Sequence, residues 1–185
     1  MTGMQAVGID PSLEKTGFAT AGTSLVPYAT TFPTSGDDDS LADLQRRIRY
    51  ITGKALVFSP SSTLTVIETP IIPRHGSGQV LERAWLWGFL VDQLLLRGPV
   101  VGVHPMTRAK YATGSGKATK PEVLAAMREK FPATELKDDN AADALALCAM
   151  GARFLGFPID GEPSKAQLQA MTAVRWRPTP KEKKR

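Results

Sequence analysis

"MQAVGIDPSLEKTGFAT" (residues 4–20) sets the frame for the chain. Residues 4–9 are mostly apolar and read as a strand, which ends on Asp10 and is stopped by Pro11. The strand pattern resumes at Thr16–Ala21 after a short turn. A carboxylate closing an apolar strand stands where an α/β sheet gathers its binding and catalytic groups, beside the loops.

Working outward, Leu25–Thr31 reads as a third strand, with Gly22 near the turn before it, and "SGDDD" (35–39) as a loop. Ser40, with Asp43 three residues on, begins a helix to about Phe58 that carries Leu41, Leu44, Ile48 and Ile51 on one face. Arg46, Arg47 and Arg49 lie off that stripe and read as a solvated face. "TLTVIE" (63–68) is a fourth strand closed by Pro70, and residues 80–96 form a strongly apolar helix. "GPVVGVH" (98–104) is a fifth strand, followed by a short helical stretch over 105–114. Thr119 with Glu122 and Pro121 opens a helix to about Lys130, and a last helix covers about 139–155. This order predicts an α/β fold, a five-stranded mixed sheet flanked by helices. One domain is expected over residues 1–157, followed by a basic, flexible tail over 158–185.

The charge supports that division. Lys and Arg number 23 against 18 Asp and Glu, a net of +5, and the stretch Arg175–Arg185 alone holds six basic residues and one acid. The body is therefore neutral, and the end "RWRPTPKEKKR" reads as a phosphate-binding arm or a solubilising tail. No apolar run is long enough to span a membrane, and the N-terminus lacks the pattern of a secretory signal. The single cysteine, Cys148, lies in an apolar run and reads as a buried thiol, as suits a reducing cytoplasm.

Three acids stand at element ends. If the helix between strands one and four crosses over right-handedly, the two strands are neighbours and Asp10 and Glu68 converge. Asp143, in "DDNAADALALCAMG" (138–151), opens a helix whose following residues are all apolar. A carboxylate there is costly to bury unless something pairs with it. Acids clustered without His or Cys suit hard divalent cations, Mg²⁺ above all with Mn²⁺ substituting. Two such ions clamp the attacking and leaving oxygens in phosphodiester cleavage. Asp138 is expected to cap the last helix, while Asn140 or Asp139 can share a face with Asp143.

Basic residues collect in "RAKYATGSGKATK" (108–120), where Arg108, Lys110, Lys117 and Lys120 surround Gly114 and Gly116 and are expected to contact DNA. Lys120 falls in the first turn of a capped helix, which already favours phosphate. "GSGKAT" is not a phosphate-binding P-loop, because Tyr111 stands five residues before Gly116 and Ala118 follows Lys117. Arg74 and His75 lie in the loop after Glu68, placed to grip a DNA strand, whereas His104 before Pro105 reads as structural. Trp85 and Trp87, two apart on the 80–96 helix, face different directions, so that helix is expected to pack on the sheet and on a partner subunit.

"VGIDPSLEKTG" (7–17), "TVIETP" (65–70), "TRAKYATGSGKATKPEV" (107–123) and "DDNAADALALCAMGA" (138–152) together resemble the RuvC-type Holliday junction resolvases, particularly their phage-borne branch. The resemblance covers about residues 4–156. It implies a ribonuclease H-like fold and a homodimeric, Mg²⁺-dependent endonuclease with two ions per site, acting on four-way DNA junctions. It implies Asp10, Glu68 and Asp143 as catalytic, metal-holding acids, and Lys110 and Lys120 as DNA-binding lysines. The chain departs from the family at Asn140, where an acid or His is usual and Asp139 directly precedes, and at Ile71, where bacterial members carry an aromatic. Rival readings are a broader flap or RNA–DNA hybrid nuclease on the same fold and a non-cleaving junction-binding module. A bacterial or phage-infected bacterial cytoplasm is the expected location.

Overall fold

The computed structural model describes residues 5–23, 26–38, 40–61, 63–71 and 79–176. Strands β1 (Gln5–Asp10), β2 (Lys15–Gly22) and β3 (Tyr28–Pro33) come first, then helix α1 (Leu41–Phe58) and β4 (Leu64–Glu68). There follow α2 (Val80–Leu95), β5 (Val100–Val103), α3 (Pro105–Thr113), α4 (Lys120–Lys130), α5 (Asp139–Phe154) and α6 (Lys165–Thr172). The sheet order is β3-β2-β1-β4-β5: β1, β2 and β3 pair antiparallel, and β4 joins β1 and β5 in parallel. The expected five-stranded mixed sheet is present, with β4 beside β1.

Strand periodicity sorts the two faces. Val7, Ile9, Phe18 and Ile67 point to one side, where Ile48, Ile51 and Ala55 of α1 and Leu86, Leu90 and Leu94 of α2 cover them. Ala6, Ala19, Ala21, Leu64 and Val66 point to the other, against α5 and, further out, α3 and α4. This second face is built from small residues, so α5 lies directly on the strands. Gly8 and Gly17 mark the closest approach: a Cβ on Gly8 would stand 2.0 Å from the carbonyl oxygen of Ala144, and one on Gly17 2.0 Å from that of Asn140. The close fit explains why α5 is buried without a break from Ala141 to Ala152 and is rich in alanine.

One expectation needs correction. The third strand, expected from Leu25, begins at Tyr28 among the described residues, with Val26 and Pro27 outside it because Pro27 supplies no backbone donor to the ladder, and Leu25 lies outside the described residues; Pro33 is tolerated at its end because β3 is an edge strand. Beyond residue 157 the described chain goes on packing against the preceding elements. The Asp160 side chain is fully buried and accepts hydrogen bonds from Tyr111 Oη (2.7 Å) and Gln167 Nε2 (2.8 Å), and it pairs with Arg153. Ser164 caps α6, which packs on α3, and Trp176 stacks on Phe154 with ring centroids 4.7 Å apart. Residues 158–176 are thus part of the fold, and residues 177–185 lie outside the described region.

Candidate active site

Parity and register bring the acids together. Asp10 follows Ala6 and Gly8 on the face of β1 covered by α5, and Glu68 follows Leu64 and Val66 on the same face of β4. The two strands run parallel with Gly8 opposite Val66, so the next residues on that face are Asp10 and Glu68. Asp143 sits one turn into α5, which the glycines press against the end of the sheet. The three carboxylates line one cavity of about 380 Å³, whose wall also includes Arg83, Arg108 and Asn140. Asp143 is 1% exposed and Asp10 9%.

Arg108 decides the electrostatics. The sequence places it among the DNA-contacting cations, but α3 carries it inward, where it is buried. Its Nε donates to Glu68 Oε2 at 2.8 Å, and its Nη1 donates to Asp143 Oδ1. His104 and Pro105 fix the start of α3: His104 Nδ1 accepts from the Met106 amide, a structural role, and Pro105 stands in the first turn. One guanidinium does not neutralise three acids, two of them buried. Burial pushes the Asp10 carboxyl well above its ordinary range, and the charges of Glu68 and Asp143 push it further. Burial also raises Asp143, to about 7, against the opposing pull of Arg108.

The remaining candidates occupy different places. Asp138 caps α5 by accepting from the Ala141 amide at 2.9 Å. Asn140 lines the acid cavity and donates Nδ2 to the Lys15 carbonyl at 2.8 Å. Asp139 turns to the adjoining surface and pairs with Lys120 at 2.6 Å, which holds its carboxyl below the usual range although burial acts the other way. Lys120 stands at the cavity wall, whereas Lys110 and Lys117 line a separate groove between α3 and α6. Arg74 and His75 lie outside the described residues. Trp87 turns inward, its indole donating to the Glu68 carbonyl at 3.0 Å, while Trp85 faces out beside exposed Leu81. Arg83 goes unnoticed in the sequence because it sits in an apolar helix. Its polar spacing within α2, at the end nearest the loop after Glu68, is the signal that marks it.

The donor chemistry fits a hard divalent cation: three carboxylates and an amide share one cavity with one buried guanidinium. As the side chains stand, no three His, Cys, Asp or Glu groups among the described residues are placed to hold one ion together. The Arg108 guanidinium lies between two of them.

No family model matches the chain. A crossover junction endodeoxyribonuclease RuvC from Synechococcus sp. (strain WH7803) is 30% identical over 157 residues, which cover 80% of this chain and 97% of that protein. The solved structure of Thermus thermophilus RuvC superposes with a TM-score of 0.59 at 20% identity, covering 83% of this chain and 98% of that one. The same organism's RuvC in complex with a Holliday junction substrate gives 0.56 at 22% identity, covering 83% and 97%.

Proposed function

The chain belongs to the RuvC family of crossover junction endodeoxyribonucleases and has its ribonuclease H-like fold, and from that premise we propose that it resolves four-way DNA junctions by symmetric phosphodiester hydrolysis. Nucleases of this family depend on metal ions. Mg²⁺, with Mn²⁺ as a substitute, is the ion this donor set suits, at two ions per site. The observation that carries the reading is the convergence of Asp10, Glu68 and Asp143 on one cavity walled by Arg83, Arg108 and Lys120.

Asp10, Glu68 and Asp143 would hold the ions, with the Asn140 side-chain oxygen as a fourth donor. Asn140 lines the acid cavity as well as the adjoining one, whereas Asp139 lines only the adjoining one and is engaged by Lys120. When bound, the ions would activate water for attack and stabilise the leaving oxygen. The protein's own residues position the strand. Lys120 and Arg83 at the wall present cations to a phosphate entering the cavity, and Lys110 and Lys117 line a second groove for backbone further along. The nuclease domain spans residues 1–176 in this reading, and the basic residues 177–185 add non-specific DNA affinity. A homodimer supplies the two sites that symmetric nicking needs, and the exposed Leu81, Trp85 and Leu95 of α2 suit an apolar subunit contact. The compartment is a bacterial cytoplasm, that of a phage-infected cell included.

The test is substitution of the acids with binding and cleavage measured apart. Asp10→Asn, Glu68→Gln and Asp143→Asn should each abolish Mg²⁺-dependent nicking and leave junction binding intact or tighter, because each removes charge that repels phosphate. A variant that nicks at near the wild-type rate removes that residue from the metal-holding set.

A further inference from the structure

Arg108 sits within the acid cluster, not on its rim. Its side chain is 8% exposed and spans Glu68 and Asp143, whose side chains are 15% and 1% exposed. Asp10 is outside this bridge: neither of its oxygens is among the acceptors of the guanidinium. A guanidinium fork suits two carboxylates at once and keeps its charge when buried, which a lysine does less well. The oxygens it engages, Glu68 Oε2 and Asp143 Oδ1, belong to groups that a divalent ion would also use. A guanidinium and a metal ion cannot occupy the space between those two carboxylates together.

We propose that Arg108 is a resident counter-ion that exchanges with the metal. It bridges Glu68 and Asp143 in the metal-free protein and withdraws from them when the ion enters. The inference rests on the metal-nuclease reading above and adds a device to it. Without Arg108, the buried Asp143 and Asp10 and the partly buried Glu68 would face one another with no positive charge between them. With it, the α5 end of the site is held against β4 before any ion arrives. The geometry confines the exchange to Glu68 and Asp143 and leaves Asp10 as the acid an incoming ion meets without displacing a cation. Metal affinity is then reduced by whatever the bridge contributes, since only the open fraction of molecules accepts the ion at the bridged position.

Two measurements test this, neither read from activity. Calorimetric titration of Mn²⁺ into metal-free wild type, Arg108→Met and Arg108→Lys comes first. Arg108→Met keeps much of the stem packing but removes the cation, and it should bind Mn²⁺ at least about tenfold more tightly. Its metal-free form should melt roughly 6–20 °C below wild type, as expected when one partner leaves a buried ion pair. Equal or weaker Mn²⁺ binding by Arg108→Met overturns the exchange. The second measurement uses wild type alone and so does not depend on a variant folding: NMR of protein labelled with ¹⁵N-arginine. The Arg108 Nε–H, hydrogen-bonded to Glu68, should be protected from solvent exchange without metal and lose that protection at saturating Mg²⁺. Protection unchanged by bound Mg²⁺ overturns the exchange and leaves the nuclease reading standing. Failure of both wild type and Arg108→Met to bind Mn²⁺ overturns the two together.

Discussion

Gly8→Ala tests whether α5 holds the site by main-chain contact with the sheet. The added methyl would stand 2.0 Å from the Ala144 carbonyl oxygen and 2.5 Å from the Cys148 amide nitrogen. A carbon meets an oxygen no closer than about 3.3 Å, so the helix must lift by about 1.3 Å or the strand must bow. Overpacking usually costs about 1–3 kcal/mol. The obstacle here is the backbone of a helix buried on all sides, with no flexible side chain to give way, which puts the cost near ~3 kcal/mol. For a chain of this size that is a fall of about 6–12 °C in Tm. Because α5 also carries Asn140 and Asp143, the shift displaces both from Asp10 and Glu68, and a misplacement of about 1 Å costs on the order of 100-fold in rate. Gly53→Ala in α1 and Gly88→Ala in α2 are the controls, since a Cβ at either meets nothing within 4 Å. They should gain up to ~1 kcal/mol from helix propensity. Thermal unfolding followed by circular dichroism reads all three. A Gly8→Ala protein melting within a degree or so of wild type would refute the close-packing argument, as would controls that lose as much as Gly8→Ala.

The buried acids make stability depend on pH. Asp143, raised to about 7, and Asp10, also raised, keep protons in the folded protein that the unfolded chain releases near 3.8. Their contribution to stability is therefore present below about pH 4 and lost as pH rises toward 7, so metal-free protein should tolerate less urea at pH 8 than at pH 5, and Asp143→Asn should flatten the trend. Greater urea resistance at pH 8 than at pH 5 contradicts it. Lys110→Ala, Lys117→Ala and Lys120→Ala should each lower the slope of log affinity against log salt by about 0.9 for every phosphate the lysine neutralises, measured by fluorescence anisotropy on a labelled junction. An unchanged slope means that the lysine neutralises no phosphate. Deleting residues 158–185 strips Asp160 from Tyr111 and Arg153 and should cost about 3–5 kcal/mol in chemical denaturation, while deleting only 177–185 should lower DNA affinity and leave nick positions unchanged. A stable 1–157 fragment would contradict the place given to α6.

The acid cluster is legible in the sequence because each acid closes or opens a buried element. Strand parity puts Asp10 and Glu68 on one face once β4 lies beside β1, and the apolar run after Asp143 forces α5 onto that face. The destination of Arg108 is not legible. Arg108 and Lys110 are two residues apart in a short helix, and only the packing of α3 between α5 and α6 turns one into the acids and the other into a groove. The fold of residues 158–176 hides for a related reason: its anchors are long-range, Asp160 to Tyr111 and Trp176 to Phe154. Its one local signal is the Ser164-x-x-Gln167 capping pair, which the structure uses to start α6. The basic charge of the last eleven residues draws the eye to the end of the chain and away from that pair.

The most direct test is a labelled, immobile four-way junction incubated with the protein, with and without Mg²⁺, and the nicks mapped on all four strands. The expected result is paired nicks at symmetry-related positions near the branch point, present with Mg²⁺ and abolished by chelation and by Asp143→Asn. Binding without any Mg²⁺-dependent nick, or cleavage of flaps and hybrids in preference to the junction, would contradict it.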